Sequence, residues 1–375
     1  MPFTIPTRRL ATQLIAGSII ALFLLTLSLP ASRSSLRQFI QIPSRPRPLL
    51  IGFTRTWPLL LQAVVSYITA GWPASQIYVV ENTGVQQANA RNQLTLQNPF
   101  YLNHTVLHAL GVNVIQTPTL LTFAQLQNFF LHLTHERGWP YYFWSHMDVL
   151  ALSYEGGKTE QEEGGPLPRY DQPGYKTVYE LALGVLKEVR EKQTQWAIRF
   201  FAYDHLALVN PEAFEGIGGW DTLIPYYLTD CDMHSRLTMG AHVFDVASSL
   251  SDLAVLYRVD GVTANWTDPN PPPEDQKAGR GLEEREGDMN LFKWWVIKDA
   301  ADKMRGRERN TWQVGQHGGE GEPFYYDPIG FAEGLDVIIE AGREVYRRKW
   351  GHRDCRLLSA GRKTSDAWKV EKDWK

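Results

Sequence analysis

Two cysteines in 375 residues, a net charge of only −3 and no long basic stripe are the first things this sequence withholds. Without clustered positive charge there is no electrostatic footprint for a nucleic-acid partner. No G-x-G-x-x-G follows the first apolar strand, which removes the dinucleotide fingerprint and the cofactor chemistry it serves. No internal repeat is present. Cys231 and Cys355 could pair in an oxidising compartment, or Cys231 could equally be a buried free thiol.

What is present is apolar and aromatic. Apolar residues make up 43% of the chain, enough for a substantial core, and 13 tryptophans suit either a Trp-rich interior or faces that stack on sugar rings. The run from Leu10 to Pro30 carries no charge and has the length of a bilayer span, and Arg8 and Arg9 precede it. These features predict a cytoplasmic tail over 1–9, a signal anchor over 10–30 and a lumenal remainder. The small residues Ala31 and Ser32 leave a cleaved signal peptide as the alternative; both readings place the rest of the chain in the secretory pathway. Two sequons, at Asn103 and Asn265, agree with that route. A Ser, Arg and Pro-rich stretch over 31–46 reads as a stem.

From residue 47 the pattern becomes that of an α/β domain. Apolar runs at 49–53, 76–80, 112–116 and 141–146 read as strands, and helical spacing over 57–70 and 122–137 separates them. Strands alternating with helices predict a parallel sheet covered on both faces. A Gly, Pro and Glu-rich loop over 155–175 follows, then a helix over 178–191, a strand over 196–203 that 207–209 could join, a Pro-rich loop over 266–289 and a last helix over 331–349. A domain over 47–350 and a polar, poorly ordered tail over 351–375 are expected.

Three places carry chemistry. In Phe143-Trp144-Ser145-His146-Met147-Asp148 an apolar strand ends in a carboxylate, where open α/β sheets bind ligands. Asp148, with His146, would hold Mn2+ or Mg2+ against a diphosphate; a simple turn-capping Asp is the plainer reading. The second place is Gly218-Gly219-Trp220-Asp221, then Thr229-Asp230-Cys231-Asp232 and Arg236. Asp232 and Arg236, one helical turn apart, read as a structural pair. Repulsion between neighbouring carboxylates would suit Asp230 to act as a base. The third is His317 among glycines, either a metal ligand or an ordinary turn. Tyr203-Asp204-His205 reads as a strand end.

In this order the motifs resemble GT-A glycosyltransferases, family 2-like and galactosyltransferase-like, over roughly Pro48 to Gly319. The resemblance implies a GT-A catalytic domain behind the membrane helix and a nucleotide-sugar donor, a UDP-sugar first. It implies nucleotide contacts at Phe53, Thr54, Arg55 and Glu81. His146-Met147-Asp148 stands for the D-x-D metal motif, with His in place of its first acid, and His317 would complete the metal site. Gly219-Trp220-Asp221 and Thr229-Asp230-Cys231-Asp232 with Arg236 stand for the G-W-G…E-D-x-D…R block, Thr229 replacing its Glu. Asp230 would be the inverting base, and Trp220 and Asp221 would shape the sugar pocket. The acceptor would be a glycan, protein or lipid, in the Golgi or ER as a type II membrane protein. Two other readings remain: a degenerate transferase acting as lectin or scaffold, and a lumenal glycoside hydrolase using paired acids.

Overall fold

The computed structural model describes residues 46–151, 153, 155–157, 160, 166–192, 196–201, 205–240, 243–245, 318–325 and 327–374. The expected anchor, the stem, the sequon at Asn265 and His317 lie outside these residues. Among the described residues no helix is long and apolar enough to cross a membrane. From Arg47 onward the chain forms one compact unit.

The elements follow the expected alternation. They are β1 Leu49–Phe53, α1 Trp57–Thr69, β2 Ile77–Glu81, α2 Gln86–Ala90, α3 His104–Ala109, β3 Asn113–Gln116, α4 Phe123–Glu136 and β4 Tyr142–Ser145. Then come α5 Val178–Lys192, β5 Trp196–Phe201, β6 Leu206–Val209, α6 Pro211–Gly216, α7 Thr229–Met239, β7 Val243–Asp245 and α8 Pro328–Trp350. The strands form one mixed seven-stranded sheet in the order β3-β2-β1-β4-β6-β5-β7. β6 runs antiparallel to β4 and β5, and every other pairing is parallel.

Why these residues make a two-sided sheet is visible in β1. Period-2 alternation sends Leu49, Ile51 and Phe53 to one face and Leu50 to the other, and all four are buried. A strand buried on both faces reads as a continuous apolar run. On the first face, Trp57, Leu60, Val64 and Tyr67 of α1 and Ala182, Val185, Leu186 and Val189 of α5 cover the sheet. On the second, Ala124, Phe130, Leu131 and Leu133 of α4, Phe214 of α6, and Met233 and Leu237 of α7 do so. Thr122 and Gln125 close a reciprocal capping box that starts α4.

The order of strands fixes where a ligand can enter. The chain steps from β1 outward to β2 and β3, then crosses back to place β4 on the other side of β1. α4 crosses the second face to reach β4, so the strand order reverses between β1 and β4, and their neighbouring carboxyl ends form the switch point at which open α/β sheets bind ligands.

The segment after α8 corrects an expectation. Residues 351–375 were expected as a loose polar tail, yet Leu357 is fully buried with Ile224, Tyr346 and Trp350. Tyr346 Oη donates to the Asp354 carbonyl at 2.8 Å, and Cys355 is bonded to Cys231. Of the two adjacent leucines only Leu357 is buried, and one buried leucine with one cysteine leaves no periodicity to read.

Candidate active site

β1 and β2 deliver their expected residues to the carboxyl edge of the sheet. The Phe53 side chain is fully buried in the core, so only its backbone is left to meet a ligand. Thr54 is half-buried. Thr56 takes a left-handed conformation, φ 72°, and its N–H donates to the Pro99 carbonyl at 2.8 Å. Arg55 is buried, with its guanidinium 3.9 Å from the centre of the Phe331 ring of α8.

Glu81 is held inside the protein. Its carboxylate is fully buried and both oxygens are engaged: Oε1 accepts from Asn89 Nδ2 at 2.8 Å and Thr83 Oγ1 at 3.2 Å. Oε2 lies 2.9 Å from His104 Nε2 and accepts from Gln116 Nε2 at 3.0 Å. Burial alone would raise its pKa; the hydrogen bonds from His104, Gln116 and Asn89 outweigh that and hold it below the usual range. Glu81 thus organises the loops beyond β2 and β3. The same hub employs the first sequon: Asn103 caps α3 by accepting from Val106 N at 3.0 Å, and its Nδ2 donates to Tyr101 Oη.

At the end of β4 the chain turns through Met147 and Asp148, and His146 and Asp148 are both half-buried. The His146 ring stacks on Phe123, centroids 6.4 Å apart at 14°, and meets the Trp144 indole edge-on at 5.0 Å. Phe123 also lies 5.6 Å from Trp220 in a T-shaped contact. One ring at the start of α4 therefore joins the end of β4 to the Gly-Gly-Trp loop.

That loop is clamped from several sides. Asn128 of α4 accepts from Trp220 N at 2.8 Å and donates to Trp220 O at 2.9 Å. Gly219 sits at φ 70°, and a Cβ there would come within 2.8 Å of Asn128 Oδ1, so glycine is needed for both conformation and space. Arg236 donates to the carbonyls of Ile217 at 2.9 Å and Gly219 at 2.7 Å.

The expected Asp232–Arg236 pair forms, with Arg236 Nε 2.8 Å from Asp232 Oδ2. Asp232 is fully buried, and its Oδ1 also accepts from Trp350 Nε1 at 2.9 Å and Lys349 Nζ at 2.7 Å. Lys349 reaches Asp221 Oδ2 as well, at 2.7 Å. Burial would raise the Asp221 pKa; the Lys349 bond, the Leu223 N–H and the charges of Lys349 and Arg236 hold it low instead. Removing one member of a buried pair of this kind costs about 3–5 kcal/mol.

Asp230 is placed otherwise. Side chains two apart on a helix point about 200° from one another, so Asp230 faces a different side of α7 from Asp232, although burial and the charges of both acids raise the pKa of the Tyr346 hydroxyl. It is half-buried in the first turn of α7 and makes no hydrogen bond or ion pair among the described residues. The residue that starts this turn, Leu228, is left-handed at φ 67°, a strain of about 1–2 kcal/mol of the sort that accumulates at functional sites.

His317 lies outside the described residues, and Tyr203 and Asp204 do also. Gly318, next to His317, packs where a Cβ would lie 2.2 Å from the Gln97 carbonyl, so that glycine serves close packing on the loop beyond β2. The residues sequence reasoning missed are Phe123, Asn128, His104, Lys349 and Trp350. Phe123 and Asn128 sit in a helix whose apolar spacing hid them. The lysine at the end of α8 reads in sequence as an ordinary partner for the helix dipole.

The end of β4 carries two residue types that bind divalent cations. His146 and Asp148 supply an imidazole and a carboxylate, and among the described residues no group of three His, Cys, Asp or Glu forms a fuller cage. Two protein ligands suit a cation that takes its other ligands from water and substrate phosphates.

No family model matches the chain, and no curated protein matches it. Solved structures with some likeness include the mannosyltransferase PcManGT from Pyrobaculum calidifontis in complex with GDP-Man and Mn2+, at TM-score 0.34 and 10% identity over 88% of this chain and 96% of that one. S. aureus TarS gives TM-score 0.32 and 7% identity, over 56% of this chain and 38% of that one. GalNAc-T7 with UDP, GalNAc and Mn2+ gives TM-score 0.31 and 11% identity, over 69% and 55%.

Proposed function

We propose that this chain is a GT-A type glycosyltransferase that moves a sugar from a nucleotide-sugar, a UDP-sugar first, to a glycan, protein or lipid hydroxyl with inversion. The observation that carries the reading is the Phe123 ring, which touches His146 at the diphosphate end and Trp220 at the sugar end. That one ring neighbours both motif clusters, which are far apart in sequence, supports a shared site beyond the carboxyl ends of β1 and β4.

In this reading the nucleotide enters over the carboxyl ends of β1 and β4. Asp148 and His146 would hold Mn2+ or Mg2+, which when bound offsets the charge of the departing diphosphate. The half-buried Phe123 ring lines the sugar side with the buried Trp220 packed against it, and the locked Asp221 fixes the loop that carries Trp220. Asp230, with no partner to neutralise it among the described residues, accepts the proton of the acceptor hydroxyl. The hydroxyl oxygen then attacks the anomeric carbon from the face opposite the diphosphate. The bond to the leaving oxygen breaks, and its electron pair leaves with the nucleoside diphosphate. The anchor over 10–30 and a lumenal, Golgi or ER setting belong to the same proposal, on the charge pattern around that segment.

Asp230→Asn tests the assignment. Donor binding, read as a nucleotide-dependent rise in melting temperature, should persist, while transfer falls by about a hundredfold or more, the low end for a general base. Near wild-type transfer by Asp230→Asn removes Asp230 from the role. EDTA should abolish turnover and Mn2+ restore it; full activity after chelation would assign His146 and Asp148 another task.

A further inference from the structure

Lys349 lies 128 residues along the chain from Asp221 and belongs to none of the motifs that suggest a transferase. Its side chain is only 6% exposed, and its ammonium is 2.7 Å from both Asp221 Oδ2 and Asp232 Oδ1. A buried cation between two carboxylates on separate elements acts as a tie. One of those elements is the loop that presents Trp220. The other is the first turn of α7, which presents Asp230.

We infer that Lys349 is a positioning residue for the reaction, fixing the Trp220 loop to the turn that carries Asp230. The inference rests on the transferase reading given above and deepens it. The neighbouring bonds support a tie with a defined purpose. Arg236, held by Asp232 Oδ2, binds the loop at Ile217 and Gly219, and Asn128 binds it at Trp220. Among the described residues, Lys349 alone binds the loop at the Asp221 side chain and α7 at once. Trp350 donates to the same Asp232 oxygen from the next residue, so the end of α8 grips α7 with two adjacent side chains. Beyond it, Cys355 is bonded to Cys231, which lies between Asp230 and Asp232. The C-terminal segment thus holds the turn at the two residues that follow its functional acid.

The chemistry predicts a rate effect separable from binding. Lys349→Met keeps the length and the apolar stem of the side chain but removes the charge that meets both carboxylates. The loop then moves relative to Asp230, and misplacement by about 1 Å remote from the reacting atoms costs about a hundredfold in rate. The donor, bound between β1 and β4, should keep its affinity.

The experiment compares the full-length wild type with Lys349→Met, Lys349→Arg and Asp221→Asn. Turnover and donor KM are measured, together with amide hydrogen exchange over residues 217–232. The expected result for Lys349→Met is kcat lower by about a hundredfold, an unchanged donor KM and faster exchange in the loop and the first turn of α7. Lys349→Arg, which keeps the charge, should recover part of kcat. Wild-type kcat in Lys349→Met overturns the inference. So does a loss of kcat with exchange unchanged, since Lys349 would then act on the reactants rather than on the loop. If Lys349→Met does not fold, Asp221→Asn decides, because it cuts the loop half of the tie and leaves Lys349 on Asp232. A wild type that transfers from no nucleotide-sugar defeats the transferase reading; unchanged exchange in the variant separately defeats the tie.

Discussion

The bond between Cys231 and Cys355 makes the most quantitative prediction. Its two Cα atoms are 5.0 Å apart and the cysteines are separated by 124 residues in sequence. In the chain-entropy model a closed loop of that size removes about 5 kcal/mol of denatured-state freedom at room temperature. The unit that unfolds spans about 330 residues from Arg47 onward, and at about 2.1 cal/mol/K per residue its unfolding entropy is near 0.7 kcal/mol/K. Removing the bond should therefore lower the melting temperature by about 7 °C. The packing of Leu357 against Tyr346 and Trp350 stays in place without it, so the loss should appear in stability first. The assay is a thermal melt of the Cys231→Ala/Cys355→Ala chain and of the wild type, each with and without reductant. The wild type in reductant should fall to the double variant, and the double variant should ignore the reductant. A wild type that melts at the same temperature in both conditions, or a double variant within about 2 °C of it, would refute the constraint.

Two further predictions concern the loops around the site. Glu81→Gln removes a buried charge that accepts from three side chains and faces His104, so it should cost about 2–3 kcal/mol in urea melts near pH 7. Because the folded-state pKa is depressed, that stabilisation is fully present above the ordinary glutamate value of 4.5 and is lost as pH falls through the depressed one. The gap between wild type and Glu81→Gln should close in acid, and a gap that widens there would contradict the assignment. Gly219→Ala forces a side chain into a left-handed residue against Asn128; it should destabilise by about 1–2 kcal/mol and lower transfer more than donor binding, measured in the same melts and turnover assays.

Most of the sheet could be read from the sequence because burial on two faces writes itself as short apolar runs, as in Leu49 to Phe53. The same alternation already implied that Phe53 points inward with Leu49 and Ile51, and only the family likeness drew it toward the nucleotide. Glu81 was harder. A carboxylate at a strand end looks available, and nothing local reveals that Thr83, Asn89, His104 and Gln116 converge on it. Such hubs are assembled from short polar side chains on separate loops, and no period of 2 or 3.6 records them.

The acid pair on α7 shows where the boundary between the two cases falls. Helical geometry alone separates Asp230 from Asp232 by about 200° and puts Arg236 beside Asp232, so the division into one structural and one available acid is legible from spacing. What is not legible is the strength of the division. Asp232 is held by Lys349 and Trp350 as well as Arg236, and those two residues are at the far end of a helix whose sequence gives them no more than a dipole role. A carboxylate so fully engaged cannot also take a proton from a substrate hydroxyl, because each of its oxygens is committed to a cationic partner. The long-range contacts, more than the motif, therefore leave Asp230 as the acid of that pair that is not locked among cations in the described residues.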